Sequence, residues 1–470
     1  MKKINIFILA VAAVFSLSSC EDYLNVKPRG YDVASTISHY QGLLYGTEKF
    51  FLKESFPYMC FETYTDEAGY DMVYSQLGSY ATSAYKWEAD IYREDQLCGE
   101  WNSFTTILYS CNKVIAEVLN AQDGTQEQRL AVQSEARMLR AYCIFMMSRF
   151  FGDIPIIDKA TTTNLDLPLR KESEVQEFVI KEMKEAVASL SEEETHCMRI
   201  FKGSGLALYG KILFMLGRYD EASEQFDAAF TELKKHSPNV KFIDYLPLVD
   251  ENKDIKYPTT IEQDTESLYS FQGMPRLFEA IYGGMYGQLF FGVKNELIEK
   301  YFYDRADTRL AFYASVSTSK SAYNTYQKKQ QYCANLSSNN ISTNYAIGLS
   351  ELYTMQAECL ARKGDVAGAA ALLTELRKNR LEPGHEAIPE TIVTADQMTV
   401  FAFEERMREQ LGFGSSWFDM KRLWNDPLFQ DLKQYYVHPV GKTTYTLTEE
   451  RLIMKIPPTV IAWHPEYEKK

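Results

Sequence analysis

Residues 203–230 constrain the fold more than any other stretch, because they combine helical spacing with small residues at set positions. The stretch is GSGLALYGKILFMLGRYDEASEQFDAAF. The small, apolar and aromatic residues that define the pattern are Leu216, Gly217, Tyr219, Ala222, Phe226 and Ala229. Small side chains let two helices approach closely, while the tyrosine and phenylalanine rings fill the groove between them. The stretch therefore predicts a pair of packed helices.

The same order of residues follows the tetratricopeptide (TPR) pattern, and a weaker copy occurs at residues 351–377. Gly217 and the corresponding Gly364 lie 147 residues apart, so the copies do not form one contiguous repeat array. The sequence predicts TPR-like helix pairs at about 97–233 and 345–380.

Three further segments within the first of these regions show apolar residues at helical spacing. They are residues 104–119, 127–151 and 173–190. Gly152 and Pro155 end the second segment, and a polar loop joins it to the first. The fold class predicted from these patterns is mainly α.

Two long excursions separate or flank the helical regions, at about 61–95 and 236–293. They are rich in aromatic residues and poor in helix signals. Loops longer than about 15 residues are uncommon in compact proteins and tend to be functional. We therefore expect the ligand-binding surface in these excursions.

A sugar ring offers C–H groups on its faces and hydroxyl groups at its rim. Flat aromatic side chains can pack on the faces, while carboxylate and amide groups bond the rim. The excursions contain both kinds of side chain, and each of these side chains can instead pack within its loop. The candidate ligand-binding residues are Asp71, Tyr74, Gln76, Tyr80, Tyr85, Trp87, Tyr269, Gln272, Tyr282, Tyr286 and Phe290. Trp101 and Tyr109 fall at helical spacing and are expected in the core.

The first twenty residues predict export. Lys2 and Lys3 precede an uncharged run of 14 residues, at 4–17, and small residues then lead to Cys20. Residues 1–19 are interpreted as a signal peptide, and the sequence LSSC resembles the lipobox of bacterial lipoproteins. An ordinary cleavage site is the alternative. Acylation of Cys20 would anchor the chain by lipid alone, because the apolar run is shorter than the about 18 residues that a spanning helix needs.

Charge and cysteine content exclude some classes of function. The formal net charge of −14 becomes −16 without Lys2 and Lys3, which disfavours a nucleic-acid partner. The seven cysteines besides Cys20 form no CxxC pair, so neither a zinc site nor a disulfide framework is indicated. Cys111 and Cys143 lie in apolar helical patterns, where a free thiol behaves as a small hydrophobe. No cofactor or metal is predicted.

The stretch EERMREQLGFGSSWFDMKRLW, at residues 404–424, has the charge density of an active site. Glu405 and Glu409 lie one helical turn apart, and the neighbouring Arg406 and Arg408 should keep both carboxylates ionised. This favours an ion-pair network over a general acid, whose pKa must be raised. Glu404 and Arg408 form an i,i+4 pair.

A second helix follows this one in the sequence. Ser416-x-x-Asp419 resembles a capping box for it, with Trp417, Met420 and Trp424 on one stripe. We therefore expect a structural role for the whole stretch.

The C-terminal stretch resembles the signature of the SusD/RagB family of outer-membrane nutrient-binding lipoproteins. The matching residues are Glu405-Arg406-x-x-Glu409, then Gly412-x-Gly414-x-x-Trp417-Phe418-Asp419-x-Lys421-Arg422. Further similar places are Glu135 to Tyr142, Arg149 to Pro155, Leu349 to Glu358, and Ile456-Pro457. His464-Pro465 stands where the family more often has an asparagine before the proline.

The resemblance implies a right-handed superhelix of about four TPR-like helix pairs, decorated by irregular segments that carry the ligand site. In domain terms it implies a lipidated tether at 20–35, a single body at 36–470 and the signature region at 398–470. It also implies a non-enzymatic protein, anchored in the outer membrane and facing outside the cell. Such a protein captures an oligosaccharide, or sometimes a peptide, and passes it to a partner TonB-dependent barrel of the SusC type. Glu21-Asp22 resembles the acidic signal for export to the cell surface, and an acidic flexible tether is the alternative.

Two other functions remain open at the level of sequence. An exported helical glycoside hydrolase would need two carboxylates about 5 to 9 Å apart across a cleft. Asp66, Glu67 and Asp71 form an acidic cluster, but such loop clusters are usually solvated or, less often, bind calcium. A TPR scaffold for protein partners would concentrate its aromatic residues on the concave helices, whereas many lie in the excursions here.

Overall fold

The structure is a computed structural model of the 470-residue chain. It describes residues 34–48, 83, 86–88, 99–160, 167–194, 198–249, 265–272, 295–304, 306–310, 343–410, 416–440 and 442–468.

The described residues are mainly helical. The helices of the N-terminal half are α1 (Ile37–Glu48), α2 (Gly99–Glu117), α3 (Gln126–Phe151), α4 (Glu172–Val187), α5 (Lys202–Met215) and α6 (Tyr219–His236). Those of the C-terminal half are α7 (Asn295–Tyr301), α8 (Leu349–Arg362), α9 (Val366–Arg377), α10 (Ala395–Gln410), α11 (Ser416–Leu423) and α12 (Pro458–Trp463). Short 3-10 helices occur at Val118–Asn120, Leu246–Leu248, Pro427–Tyr435, Glu449–Leu452 and Pro465–Tyr467.

The four strands in the described part of the chain form two small antiparallel sheets. The strands are β1 (Ser267–Gln272), β2 (Thr343–Gly348), β3 (Val437–Val440) and β4 (Thr443–Thr446). β1 pairs with β2 with an irregular register near Tyr269, and β3 pairs with β4 as a hairpin. The sheets are accessory elements, since helices supply most of the core.

Helix α3 forms because its N-terminus is capped and its C-terminus is stopped. The Thr125 hydroxyl accepts a hydrogen bond from the Gln128 amide, and the Gln128 side chain accepts one from the Thr125 amide. At the other end Gly152 has φ 73°, a left-handed conformation that favours glycine. The 26-residue helix packs against both α2 and α4, which makes it the centre of the N-terminal half.

Helices α5 and α6 are the predicted TPR-like pair. A Cβ added at Gly210 would meet the Phe226 ring at 2.5 Å, so the two helices approach closely at this glycine. Ala222 and Ala229 are fully buried, and Phe214 lies edge-on to Tyr219 at 5.6 Å between ring centroids. The mainly α, TPR-like fold class predicted from the sequence is confirmed.

Helices α8, α9 and α10 form a second packed layer. α8 and α9 are joined through Gly364, whose φ is 88°, and α8 packs along α10. A small apolar cluster fills the space among them, with Ala357, Leu373 and Phe401 buried. The larger core cluster runs from α1 to the C-terminal segment. Among the described residues, no helix is both long and apolar enough to cross a membrane.

Candidate functional site

Most of the predicted ligand-binding residues lie outside the described residues. These are Asp71, Tyr74, Gln76, Tyr80, Tyr85, Tyr282, Tyr286 and Phe290. Gln272 is the last residue of β1, and its backbone pairs with Thr343. The described residues therefore include three of the candidates, Trp87, Tyr269 and Gln272.

Trp87 lies in the core, which corrects the expectation that it offers an open face to a sugar. The side chain is 2% exposed, and its ring stacks on His438 with 4.5 Å between centroids and 13° between planes. Trp417 of the C-terminal signature stacks on it at 6.5 Å. A φ of 56° at Trp87 turns the chain in the left-handed region, where a bulky residue is rare. Trp87 therefore ties the end of the first excursion to the signature region.

Tyr269 is also buried, with no exposed surface, so the expectation that it binds ligand is corrected in the same way. It lies in the middle of β1, beside the irregular register that pairs it with Ile347. The signal that suggested it, an aromatic residue in a segment without helical spacing, does not distinguish a buried strand from an exposed loop.

One of the two aromatic residues expected in helix cores was placed wrongly by the sequence. Trp101 is 7% exposed, as expected, whereas Tyr109 is 41% exposed. Trp101, Phe104 and Leu108 follow an i, i+3, i+7 stripe that faces inward, and Tyr109 is about 100° further around α2.

Glu405 on α10 is the centre of a buried ion-pair network. Its Oε1 accepts a hydrogen bond from Arg309 Nη2 at 2.6 Å, and its Oε2 accepts from Arg408 Nη1 at 3.0 Å and Arg377 Nη1 at 3.1 Å. Arg309 also binds Asp307 through Nε at 2.8 Å. Burial alone would raise the pKa of Glu405, but the arginine charges more than offset it and lower the pKa to about 2.

Glu409, one turn later on α10, joins a further segment to this network. Its Oε1 accepts hydrogen bonds from Arg309 Nη1 at 2.8 Å and Arg380 Nε at 2.9 Å. Arg380 continues to Glu266, immediately before β1, with 2.7 Å between Nη2 and Oε1. Burial raises the pKa of Glu266, Arg380 opposes this, and the nearby Glu409 adds to it.

A second buried network joins α5, α8, α10 and α11. Glu351 of α8 accepts hydrogen bonds from Lys211 Nζ at 2.9 Å and from Arg406 Nη1 at 2.7 Å. Arg406 Nε continues to Asp419 at 3.0 Å, and Arg422 Nη2 donates to the same carboxylate at 2.9 Å. Burial alone would raise the pKa values of Glu351 and Asp419, but the cations beside them lower both.

The signature region is therefore a structural core, as the ion-pair hypothesis predicted. Two details differ from the prediction. Arg406 binds Glu351 and Asp419 rather than Glu405 or Glu409. Among the described cations that bind Glu405 and Glu409, Arg408 lies within the stretch, whereas Arg309, Arg377 and Arg380 lie outside it.

The predicted capping box at Ser416 and Asp419 stays a prediction, because the residues before Ser416 lie outside the described part of the chain. Ser416 is the first residue of α11, and both carboxylate oxygens of Asp419 are bound by arginines, through Arg406 Nε and Arg422 Nη2. The predicted pair of Glu404 and Arg408 is present at 3.7 Å, although Lys300 binds Glu404 more closely, at 2.8 Å.

Two of the recesses on the described surface lie beside helices of the core. One, of about 300 Å³, is apolar and lies along α10, lined by Ile392, Val400, Phe401 and Leu428 among others. The other, of about 210 Å³, is polar and lies among α4, α5 and α6. Neither recess is lined by a residue predicted to bind ligand.

Two family models match the chain in succession. The first is described as starch-binding associating with outer membrane and matches residues 22–213, and the second is the SusD family model and matches residues 233–459. This chain belongs to the SusD/RagB family. The resemblance found in the sequence is thereby confirmed.

A curated relative resembles this chain at low sequence identity. It is a SusD-like protein of Bacteroides ovatus, 24% identical over 187 residues, which are 39% of this chain and 34% of that protein. The match thus spans about a third of that relative's length.

Solved structures of SusD superfamily proteins share the fold over most of both chains. One from Bacteroides thetaiotaomicron has a TM-score of 0.70 at 15% identity, covering 92% of this chain and 98% of its own. One from Bacteroides fragilis has a TM-score of 0.69 at 13% identity, covering 93% and 100%. A SusD-like carbohydrate binding protein from Bacteroides vulgatus has a TM-score of 0.59 at 16% identity, covering 83% and 84%. At these identities the likeness concerns the fold.

Proposed function

We propose that this SusD family member is a cell-surface lipoprotein that captures an oligosaccharide nutrient and delivers it to a partner TonB-dependent outer-membrane barrel. The observation that carries the proposal is the pair of family matches over residues 22–213 and 233–459, the first with a model described as starch-binding. A solved structural neighbour that is described as a carbohydrate binding protein supports the same ligand class.

Capture requires a rigid frame that holds aromatic loops, and it requires no catalytic group. The buried ion pairs supply such a frame. They hold α8, α10 and α11 together and tie them to the irregular segments that contain Arg309 and Arg380. Ligand contacts are assigned to the excursions at 61–95 and 236–293, with Tyr282 and Tyr286 as platforms. Aromatic platforms on open loops hold a sugar weakly and release it readily, which suits a protein that hands its cargo on.

A hydrolase is disfavoured by the surroundings of the most prominent carboxylates. Glu405 is bound by three arginines and has a pKa of about 2, so it cannot donate a proton near neutral pH. Each oxygen of Glu405 accepts a hydrogen bond from an arginine and the side chain is fully buried, so it is also blocked as a nucleophile.

The ligand site is tested by substitution in the excursions. Tyr282→Ala and Tyr286→Ala should each weaken oligosaccharide binding by about two- to tenfold, the range that one aromatic contact contributes. Tyr109→Ala is the matched control, because Tyr109 is an exposed tyrosine on a helix outside the excursions. Isothermal titration with the oligosaccharide that binds the parent chain measures the effect. Unchanged affinity in both excursion variants would remove Tyr282 and Tyr286 from the site.

The anchor and the partner are tested in membranes. Replacement of Cys20 by serine should move the protein from the outer-membrane fraction to the soluble fraction, because lipid is the proposed attachment. The acylated chain, gently solubilised and captured through a C-terminal tag, should bring a large barrel protein with it. Recovery of the acylated chain alone would contradict delivery to a barrel.

A further inference from the structure

Trp463 differs from the other tryptophans of the chain in its exposure. The sequence has five tryptophans; Trp87, Trp101 and Trp417 are buried and Trp424 is half-buried. Trp463, the last residue of α12, is 85% exposed. A tryptophan carries about 150 to 250 Å² of surface that folding normally buries. This ring instead presents most of its surface to solvent.

The backbone that follows Trp463 is held firmly, so the ring projects from a fixed base. His464 stacks on Tyr467 with 4.7 Å between centroids and 10° between planes, and its Nδ1 lies 3.0 Å from Glu466 Oε1. Tyr467 is buried, and its hydroxyl donates a hydrogen bond to the Leu167 carbonyl. Glu466 and Glu468, three and five residues after Trp463 in the sequence, are exposed.

We propose that Trp463 is a second saccharide-binding platform, separate in sequence from the excursions, on which one sugar ring of an uncharged polysaccharide packs. Glu466 accepts hydrogen bonds from hydroxyl groups of the same chain of sugars. The indole face matches the C–H face of a pyranose, and a carboxylate is a strong acceptor for hydroxyl groups. The inference rests on the proposed function for the class of ligand only.

The exposed area is too small for a stable contact with a second protein chain. A stable protein interface buries about 800 Å² on each partner, whereas one indole offers at most about 250 Å². Among the described residues after 440, Ile453 is the other exposed large apolar side chain, at 40%. One sugar ring, in contrast, is about the size of an indole.

A lipid surface fits this face poorly, because charge and position both oppose it. Glu466 and Glu468 would be repelled by an anionic bilayer, which attracts basic segments. The first described residues, which follow the predicted tether, also lie at the opposite end of α3. Ser35 accepts a hydrogen bond from the Gln122 amide just before α3 begins, whereas the Met454 amide, in the segment leading to α12, binds the Phe150 carbonyl where α3 ends.

The distance between these two ends is large. Helix α3 has 26 residues, which at about 1.5 Å per residue is about 39 Å. The residue where a lipidated tether joins the body and the segment that carries Trp463 are thus separated by the length of the helix.

The platform is tested by fluorine NMR on the full chain with Cys20 replaced by serine, which leaves the folded body unchanged. Tryptophans are labelled as 5-fluorotryptophan, and Trp463→Phe assigns the signal. Soluble starch, dextran, xylan and mannan are each titrated, as are phosphatidylglycerol vesicles. We expect the Trp463 signal to shift saturably with at least one polysaccharide while the signal of the buried Trp101 stays unchanged. Trp463→Ala should weaken retardation in a gel containing that polysaccharide by about two- to tenfold, without a change in melting temperature.

Each remaining outcome overturns the platform. These outcomes are a silent Trp463 signal with every polysaccharide, a shift with vesicles alone, and a shift that follows protein concentration alone. Gel retardation of the parent chain separates the two proposals. If the chain is retarded while the Trp463 signal is silent, only the platform fails. If no polysaccharide retards the chain, the proposed capture function fails as well.

Discussion

Glu405 shows how a single residue joins distant parts of the chain. Burial would raise its pKa, but Arg309, Arg408 and Arg377 together bring the pKa to about 2 from its ordinary value of 4.5. A carboxylate whose pKa is lowered on folding stabilises the folded state at neutral pH, here by about 3 kcal/mol. The residue that looked most catalytic in the sequence is thus a structural centre.

Replacing Glu405 by glutamine should reduce the free energy of unfolding by about 3 to 5 kcal/mol, because three buried arginines lose their shared anion. Denaturant unfolding of the purified chain measures this. The matched control is Glu375→Gln, since Glu375 forms an exposed pair with Lys378 at 3.1 Å, and it should change stability by less than about 1 kcal/mol. Equal effects of the two substitutions would contradict a special role for the network.

At the residue scale, the sequence predicted the kind of interaction and missed the partners. Arg309 and Arg380 lie in irregular segments, where a charged residue has no periodic neighbours that reveal its contacts. Trp87 was misplaced because loop packing and ligand binding use the same aromatic residues. Trp463 was overlooked because no pattern distinguishes an exposed tryptophan at a helix end from a buried one.

At the element scale, the helices could be predicted because their signals are local. The predicted segment 127–151 matches α3 to within one residue, and Gly152 marks the C-terminal end of the helix in the sequence. The pairing of β1 with β2 could not be predicted in the same way. The two strands, at residues 267–272 and 343–348, are far apart in the sequence, and no short-range turn signal connects them.

The close approach of α5 and α6 gives a prediction for one element pair. Gly210→Ala should destabilise the chain by about 1 to 3 kcal/mol, because the new Cβ would lie 2.5 Å from the Phe226 ring. Gly42→Ala in α1 is the control, since nothing lies within 4 Å of its added Cβ; it should leave stability unchanged or raise it by up to about 1 kcal/mol. Thermal unfolding of both variants decides. If Gly210→Ala leaves the stability unchanged, α5 and α6 can move apart without a loss of stability.

At the scale of the whole molecule, the buried charges make stability depend on acid. Glu405, Glu351 and Asp419 have lowered pKa values, so their contributions are present above about pH 4.5 and are lost as the pH falls; for Glu405 the loss extends to about pH 2. Glu266 acts in the opposite sense, because its raised pKa gives a contribution that is lost as pH rises. Three of these four carboxylates have a lowered pKa, so together they make the folded state less stable as the pH falls.

We therefore expect the free energy of unfolding to be nearly constant around neutral pH and to fall between about pH 4.5 and pH 2. In Glu405→Gln this fall should be shallower by up to about 1.4 kcal/mol per pH unit, since one proton fewer is taken up on unfolding. Urea unfolding at a series of pH values measures both curves. Parallel curves for the two proteins would show that Glu405 has no lowered pKa in the folded state.

Capture without turnover is tested by equilibrium binding of the purified chain to a panel of oligosaccharides and peptides, followed by product analysis after long incubation. We expect saturable binding of at least one oligosaccharide, which is recovered intact. Cleavage of any bound sugar by the pure protein would contradict it, and saturable binding of peptides alone would replace the glycan with a peptide as the cargo.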